Sequence, residues 1–134
     1  ISDSSFYDNG LSQENLFRIQ SDAIRKAADE SSCVFVGRCA DYVLRDNPNM
    51  VTVFITADLD DRISNVCKRR NCSAEEARKL IEDKESTRSS YYNYYSGKTW
   101  GASASYDLCV NASRLGAEGT KEFIADFIRR RMKR

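Results

Sequence analysis

The sequence predicts an α/β protein in which a parallel sheet lies between helices on both faces, a three-layer arrangement. Two observations lead to this prediction. Short runs of β-branched and aromatic residues alternate along the chain with stretches whose apolar residues recur at helical spacing. Alternation of this kind is typical of parallel sheets covered by helices. Because 134 residues suit one core, we expect residues 1–134 to form a single domain.

The first predicted elements are a helix, a strand and a short helix. Ser12 is a candidate N-cap, because apolar residues follow it on one helical face: Leu16, Ile19, Ala23, Ile24 and Ala27. The run "CVFVG" at 33–37 is continuously apolar, as expected for a strand buried on both faces. The run "ADYVLRD" at 40–46 then predicts one or two helical turns, which end at Asn-Pro-Asn.

The remaining predicted elements are two strands and three helices. The strands are "MVTVFIT" at 50–56 and "YDLCVN" at 106–111. Asp58 is a candidate cap of one helix, the capping box Ser73-Ala74-Glu75-Glu76 begins the next, and the last one ends the chain. Their expected inward residues are Leu59, Ile63, Val66 and Cys67, then Ala77, Leu80 and Ile81, then Phe123, Ile124, Phe127 and Ile128. Three strands make a thin sheet, so we expect one or two more upstream of residue 1.

The composition excludes several kinds of chemistry. The chain has no histidine, which rules out histidine-based triads, histidine–metal sites and histidine acid–base catalysis, and we expect no metal-ligand set. A net charge of +1 disfavours a dedicated nucleic-acid-binding protein. No apolar run approaches the roughly 20 residues of a membrane span. Five cysteines without a CxxC pair or a signal peptide indicate reduced thiols and a cytoplasmic protein.

The first candidate site follows the predicted strand at 33–37. Gly37 permits a tight turn or the close approach of a ligand. Arg38 would then lie at the carboxyl edge of the sheet beside a helix N-terminus, a position suited to an anion. The alternative is that Gly37 only assists packing, while Arg38 forms a salt bridge with Asp41 or Asp46. The residues alone leave both interpretations open.

The second candidate site is the segment "DKESTRSSYYNYYSGKTWG" at 83–101. If a helix continues through residue 95, one broad stripe contains two cations and three aromatic rings, those of Lys84, Arg88, Tyr91, Tyr92 and Tyr95. The cations could stabilise charge on a transferring phosphoryl group, and a tyrosine could hold a base or sugar. The alternative is a surface helix whose tyrosines pack on the sheet, with Arg88 paired to Glu85.

Two further features contain residues that are suited to phosphate binding. Gly97-Lys98-Thr99 looks like the end of a Walker A loop, but Tyr92 stands where that loop requires its first glycine. We therefore predict a polar turn there. Arg62 and Arg69 are seven residues apart and share a helical face, although two arginines at that spacing are commonly just solvated.

With these residues located, the chain resembles the cytidylate kinase-like family, relatives of the nucleoside monophosphate kinases that have the P-loop fold. The matching segments are "CVFVGRCADYVL", "VTVFITADLDDRI", "ESTRSSYYNYYSGKTWG" and "YDLCVNASRLG", and the resemblance covers about residues 16–128. The third segment, followed by Tyr-Asp-Leu-Cys, is fairly specific to the family. A glycine-rich P-loop is absent from residues 1–134, and we expect it upstream.

The resemblance implies roles for individual residues. Arg38, with Gly37, looks like the arginine that binds the acceptor nucleotide. Cys39 replaces the acid that follows this arginine in true cytidylate kinases, which puts cytosine selectivity in doubt. Arg88 and Lys84 look like the catalytic basic residues of a lid-like segment at about 69–101 that closes over the phosphates. Arg69 and Tyr92 complete the expected substrate-binding set, Tyr92 as a family trait only.

The resemblance also implies ATP and Mg²⁺ as cofactors and a small-molecule nucleotide as partner, with a homodimer left open. The leading hypothesis is therefore an ATP-dependent phosphotransferase that acts on a nucleotide or a related small acceptor. A non-catalytic nucleotide-binding or regulatory module is the alternative. A protein that binds single-stranded nucleic acid through stacked tyrosines is the third hypothesis, and the near-neutral net charge counts against it.

Overall fold

The computed structural model describes residues 12–133, which divide into two compact units at residue 50. The first unit contains helices α1 (Gln13–Glu30) and α2 (Ala40–Val43). The predicted cap is confirmed, because the Ser12 hydroxyl accepts a hydrogen bond of 3.2 Å from the backbone N–H of Asn15. The core of this unit consists of Ile24, Ala40 and Val43, with Phe17, Phe35 and Leu44 packed against them. Ile19, which we expected inside, is 55% exposed.

The predicted strand at 33–37 is wrong. Residues 33–36 have no regular secondary structure and pair with no strand among residues 12–133. Phe35 packs on the core of the first unit, whereas Val34 and Val36 are 93% and 90% exposed. An apolar run indicates that a segment suits a sheet, but the segment becomes a strand only when a neighbour completes its hydrogen bonds.

The second unit is built on a small parallel sheet. Strands β1 (Val53–Thr56) and β2 (Leu108–Asn111) pair in parallel, from Val53 opposite Leu108 to Thr56 opposite Asn111. Helices α3 (Leu59–Arg70) and α4 (Ala74–Ser96) connect them, followed by a short 3₁₀ helix (Ser103–Ser105). The α/β class and the parallel pairing are thus confirmed. The sheet described for residues 12–133 has two strands instead of the three that were predicted.

The α3–α4 hairpin has its own apolar core. As predicted, Ile63, Ala77 and Ile81 are buried, and Val66 and Cys67 pack against them. Cys72, which was not predicted, also packs there, and Leu59 instead is 39% exposed. The capping box is also confirmed. The Ser73 hydroxyl accepts from the N–H of Glu76, and the Glu76 carboxylate accepts from the N–H of Ser73, both at 3.1 Å. The backbone N–H of Ser73 and its hydroxyl both donate to the Glu76 carboxylate, and these two hydrogen bonds lower the pKa of Glu76.

The last helix, α5 (Ala112–Met132), contains a kink at Gly116, whose φ of 74° and ψ of 174° are not helical. Glycine tolerates this conformation because it has no Cβ. Two residues predicted to be inside are partly exposed, Phe123 at 47% and Ile128 at 37%. None of the helices within residues 12–133 has the length and apolar character needed to cross a membrane.

Candidate functional site

A cavity of about 240 Å³ lies in the second unit, where β1 ends. Thr56 and Ala57 line it from the end of this strand and the start of the following loop, and Phe54 and Ile55 from the strand itself. Helix α3 contributes Arg62, α4 contributes Glu85 and Arg88, and the segment after α4 contributes Trp100. The carboxyl end of parallel strands is the usual place for ligands in α/β proteins. We refer to this cavity as the arginine–tryptophan pocket.

An ion pair joins α3 to α4 across this pocket. One guanidinium nitrogen of Arg62 lies 3.1 Å from a carboxylate oxygen of Glu85, and the two side chains are 29% and 37% exposed. Since both are partly solvated, the pair stabilises the fold by no more than about 1 kcal/mol. Glu85 therefore pairs with Arg62, and the alternative that it pairs with Arg88 is wrong.

Arg88 lies one helical turn after Glu85 and lines the same pocket. It forms no ion pair or hydrogen bond with any side chain or backbone group within residues 12–133. The pocket thus contains two guanidinium groups and one carboxylate, a net charge of +1. A guanidinium fork without a carboxylate partner is well suited to bind a phosphate through paired hydrogen bonds.

Two aromatic residues of the segment 83–101, Tyr92 and Trp100, belong to a packed aromatic cluster. Tyr92 is buried, with its ring stacked 6.2 Å from that of Tyr106. Phe54 of β1 contacts Tyr106 at 5.0 Å and Trp100 at 5.2 Å, the latter in a T-shaped arrangement. Gly101 packs so closely that a Cβ there would meet the Phe54 ring at 3.4 Å. This cluster fixes the chain after α4 against the sheet, and Trp100 is its member that also lines the pocket.

A hydrogen-bond network ties the loop after β1 to the end of β2 and the first turn of α5. One carboxylate oxygen of Asp58 accepts from the Asn111 side chain at 3.1 Å and from the guanidinium of Arg114 at 3.0 Å. The backbone N–H of Asp58 donates to the Ser113 hydroxyl at 2.8 Å. Asp58 is the N-cap residue of α3, as predicted, but its side chain makes no capping hydrogen bond. The carboxylate instead connects the loop after β1 to the end of β2 and the start of α5.

Gly37 and Arg38 lie in the first unit, in a turn of unusual backbone geometry. Gly37, Arg38 and Cys39 all have positive φ angles, 73°, 59° and 57°. A left-handed conformation costs a residue with a Cβ about 1 kcal/mol, and such strain is often found at functional sites. Arg38 is exposed and pairs with neither Asp41 nor Asp46. Its expected setting is nevertheless different, because residues 33–36 just before this turn form no strand and α2 has only four residues.

Cys39 is the best-buried residue of this turn, at 3% exposure. Burial and the nearby Asp41 carboxylate raise the pKa of its thiol to about 11. The thiol therefore stays protonated at neutral pH, which makes it a poor nucleophile.

The other predicted site residues lie outside the pocket lining. Lys84 is exposed on α4, and Arg69 is exposed in the last turn of α3. Their roles, like those of Arg38 and Arg88, stay predictions. The predicted polar turn after α4 is confirmed, since Gly97 ends the helix with a φ of 72°. Sequence reasoning missed Glu85 as a partner of Arg62 and Trp100 as a lining residue.

A magnesium ion would not need a preformed protein cage here. Within residues 12–133, no three His, Cys, Asp or Glu side chains form a cluster that could hold a metal ion. Mg²⁺ usually keeps several waters and binds through one or two carboxylates together with substrate phosphates. A magnesium ion that arrives with nucleotide phosphates is compatible with this set of residues.

Comparisons with known proteins agree with the resemblance noted in the sequence. The profile of the cytidylate kinase-like family matches residues 1–114. A cytidylate kinase from Methanopyrus kandleri is 29% identical, over 72% of this chain and 54% of that protein. A crystal structure of an uncharacterized protein from Eubacterium ventriosum superposes with a TM-score of 0.83 at 30% identity, over 89% of this chain and 68% of that one. The chain thus spans about half the length of the curated relative.

Proposed function

Because the chain belongs to the cytidylate kinase-like family, we propose that the arginine–tryptophan pocket binds phosphate groups during ATP-dependent phosphoryl transfer to a nucleotide or a related small acceptor. Kinase-type chemistry is the function that the family indicates. The observation that supports its assignment to this pocket is Arg88, a guanidinium without a partner among the described residues, beside Arg62 where a parallel strand ends. The proposal includes a three-layer P-loop kinase domain whose lid-like segment spans about 69–101.

The proposed chemistry needs positioning and charge stabilisation more than a side-chain base. In phosphoryl transfer, negative charge is spread over the oxygens of the transferring group, and cations close to it lower the barrier. Arg88 would bind those oxygens, and Lys84, one helical turn earlier on α4, would approach when the segment closes. When bound, Mg²⁺ and ATP supply the phosphoryl group and neutralise part of the phosphate charge.

The acceptor side of the proposal rests on the first unit and on α3. Arg38 would bind the acceptor phosphate, and Gly37 would let the backbone approach it closely. Two features support this assignment: the guanidinium, which has no partner within residues 12–133, and the strained turn that presents it. Arg69 is proposed as a further phosphate contact. Tyr92 is proposed to act through packing, because its buried ring supports the aromatic cluster beside the pocket.

The test is a coupled ADP-release assay on the full-length protein with ATP, Mg²⁺ and a panel of nucleoside monophosphates. Arg88→Ala should lower kcat by orders of magnitude, because an arginine on the transferring group is typically worth about 10³–10⁵ in rate. Arg78→Ala is the matched control, since Arg78 is exposed on the same helix and lies outside the pocket.

Near-normal turnover of Arg88→Ala would remove this residue from the active site. If the wild-type protein binds nucleotides but releases no ADP with any acceptor of the panel, phosphoryl transfer is refuted. The proposed function would then be nucleotide binding alone. Both outcomes require that circular dichroism shows an intact fold.

A further inference from the structure

Trp100 gives the arginine–tryptophan pocket an aromatic wall in addition to its two guanidinium groups. The ring is half-buried and packs against Phe54 at 5.2 Å in a T-shaped contact. Phosphate binding by itself would not need an aromatic surface at this place. A flat ring next to fixed cations suits a ligand that has both an anionic group and a planar group.

The backbone on both sides of Trp100 is held in place. Its own N–H donates to the Asn93 side chain at 2.7 Å, and the N–H of Gly101 donates to the Tyr106 hydroxyl at 3.1 Å. Asn93 belongs to α4, the same helix that contains Arg88. The backbone beside the indole is therefore tied to the helix that contains Arg88.

The indole also has unused hydrogen-bonding capacity. Its ring N–H has no acceptor within residues 12–133. The ring nitrogen is accessible to solvent, so water can accept this hydrogen bond when no ligand is bound. A ligand bound in the pocket could supply that acceptor.

The cavity size limits what can bind. Its volume of about 240 Å³ is below the roughly 300–1,000 Å³ typical of sites that enclose a drug-sized ligand. The pocket can therefore hold part of a nucleotide, while the rest of the ligand extends beyond it.

We propose that Trp100 is the stacking surface for the base of a nucleotide in this pocket, with the phosphate of the same molecule bound by Arg88 and Arg62. This inference rests on the proposed function and names the ligand class of its site. Because every base has a π-face, stacking selects nucleotides over phosphorylated sugars without selecting one base. Trp100 would thus make the pocket select ligands that contain a base.

The experiment uses the intrinsic fluorescence of the full-length protein, because Trp100 is the only tryptophan in this sequence. Nucleoside monophosphates and ribose 5-phosphate, which lacks the base, are titrated under tryptophan-selective excitation with free tryptophan as the optical control. Any tryptophan outside this sequence is first replaced by phenylalanine. We expect the nucleotides to quench the signal and ribose 5-phosphate to bind about five- to hundredfold more weakly with little quenching, as expected from the loss of one base–aromatic contact.

Variants distinguish base stacking from an unspecific effect of mutation on binding. Because the Trp100 variants lack the fluorescent reporter, their nucleotide affinity is measured by calorimetry. Trp100→Leu should weaken nucleotide binding by the same five- to hundredfold and leave the affinity for ribose 5-phosphate within about twofold. Trp100→Phe should retain an intermediate nucleotide affinity, and it serves as the test if Trp100→Leu does not fold. Tyr94→Leu is the matched control, because Tyr94 is a 70% exposed aromatic residue of α4 outside the pocket.

The proposal is overturned if nucleotides and ribose 5-phosphate bind equally without quenching, or if Trp100→Leu and Tyr94→Leu have the same nucleotide affinity. The two proposals can fail separately. Quenching by nucleotides without ADP release would contradict phosphoryl transfer and leave the stacking surface in place. If both Trp100 variants release ADP with an unchanged KM for the nucleoside monophosphate, phosphoryl transfer stands. Trp100 would then have no part in nucleotide binding.

Discussion

Glu85 competes with a bound phosphate for Arg62, and replacing it by glutamine should therefore tighten binding to the pocket. In the structure the Glu85 carboxylate lies 3.1 Å from the Arg62 guanidinium, so a phosphate that takes Arg62 must displace it. Glu85→Gln removes the negative charge, and the net charge of the pocket rises from +1 to +2.

The expected magnitude follows from the exposure of the pair. With side chains 29% and 37% exposed, the ion pair is worth about 0.2–1 kcal/mol, and the free energy of unfolding should fall by no more than this. In the Glu85→Gln variant, a phosphate that binds Arg62 no longer has to break this ion pair. The lost repulsion between carboxylate and phosphate, at about 6 Å in water, adds roughly 0.7 kcal/mol. Together these terms predict binding that is about four- to fifteenfold tighter.

The assay is calorimetric titration with inorganic tripolyphosphate and with a nucleoside monophosphate, at low and at high salt. Asp83→Asn is the matched control, because it makes the same charge change at an exposed carboxylate of the same helix outside the pocket. We expect the gain from Glu85→Gln to exceed that of Asp83→Asn and to shrink as salt screens the charges. Equal or weaker binding by Glu85→Gln would refute the reasoning, and Glu85 would then be a residue that holds Arg62 in its binding position.

Three further predictions concern the turn at Arg38, the thiol of Cys39 and the start of α4. Arg38→Ala should raise the KM for the acceptor more than it lowers kcat in the ADP-release assay; an acceptor titration no different from that of Arg25→Ala, an exposed arginine of the same unit, would contradict the assignment. Because the pKa of Cys39 is raised to about 11, folding keeps this thiol protonated after the unfolded chain has released the proton near pH 9. This contribution is complete below about pH 9 and is lost as the pH rises towards 11, so the free energy of unfolding in urea should fall there by up to roughly 3 kcal/mol more in the wild type than in Cys39→Ser. Parallel pH profiles of the two proteins would argue against a buried thiol. Ser73→Ala should cost about 1 kcal/mol of unfolding free energy in urea, since it removes the capping box of α4; a loss as small as that of the exposed Ser86→Ala would show that the cap contributes nothing.

Features that depend on neighbouring residues in the chain could be predicted. The capping box at Ser73, the helix through Ser96 and the turn at Gly97 each follow from residues within about one helical turn. Arg88 was identified as a candidate because its helix and its place in a family motif are both visible in the sequence. The second strand was placed correctly but too long: the side chains of residues 50–52 suit a strand, but β1 begins at Val53, and the Thr52 carbonyl accepts hydrogen bonds from the N–H groups of Asp107 and Leu108 just before it.

Features that depend on distant residues could not be predicted. The run at 33–37 has the composition of a buried strand, yet Val34 and Val36 are exposed, because composition says nothing about whether a partner strand is in place. The partner of Glu85 was also assigned incorrectly. Arg88 is the closer candidate along α4, but Arg62 on a different helix holds the carboxylate.

The sequence by itself determined the α/β class, the helix boundaries near their caps and the family, since these rest on local hydrogen bonds, on periodicity and on short motifs. Only the tertiary structure decided which charged groups meet. Arg62 reaches Glu85 and Asp58 reaches Asn111 and Arg114 through the packing of α3 against its neighbours, which brings together residues 23 to 56 positions apart in the chain. Such pairs are set by the orientation of whole elements, and side-chain chemistry alone leaves many partners equally suitable.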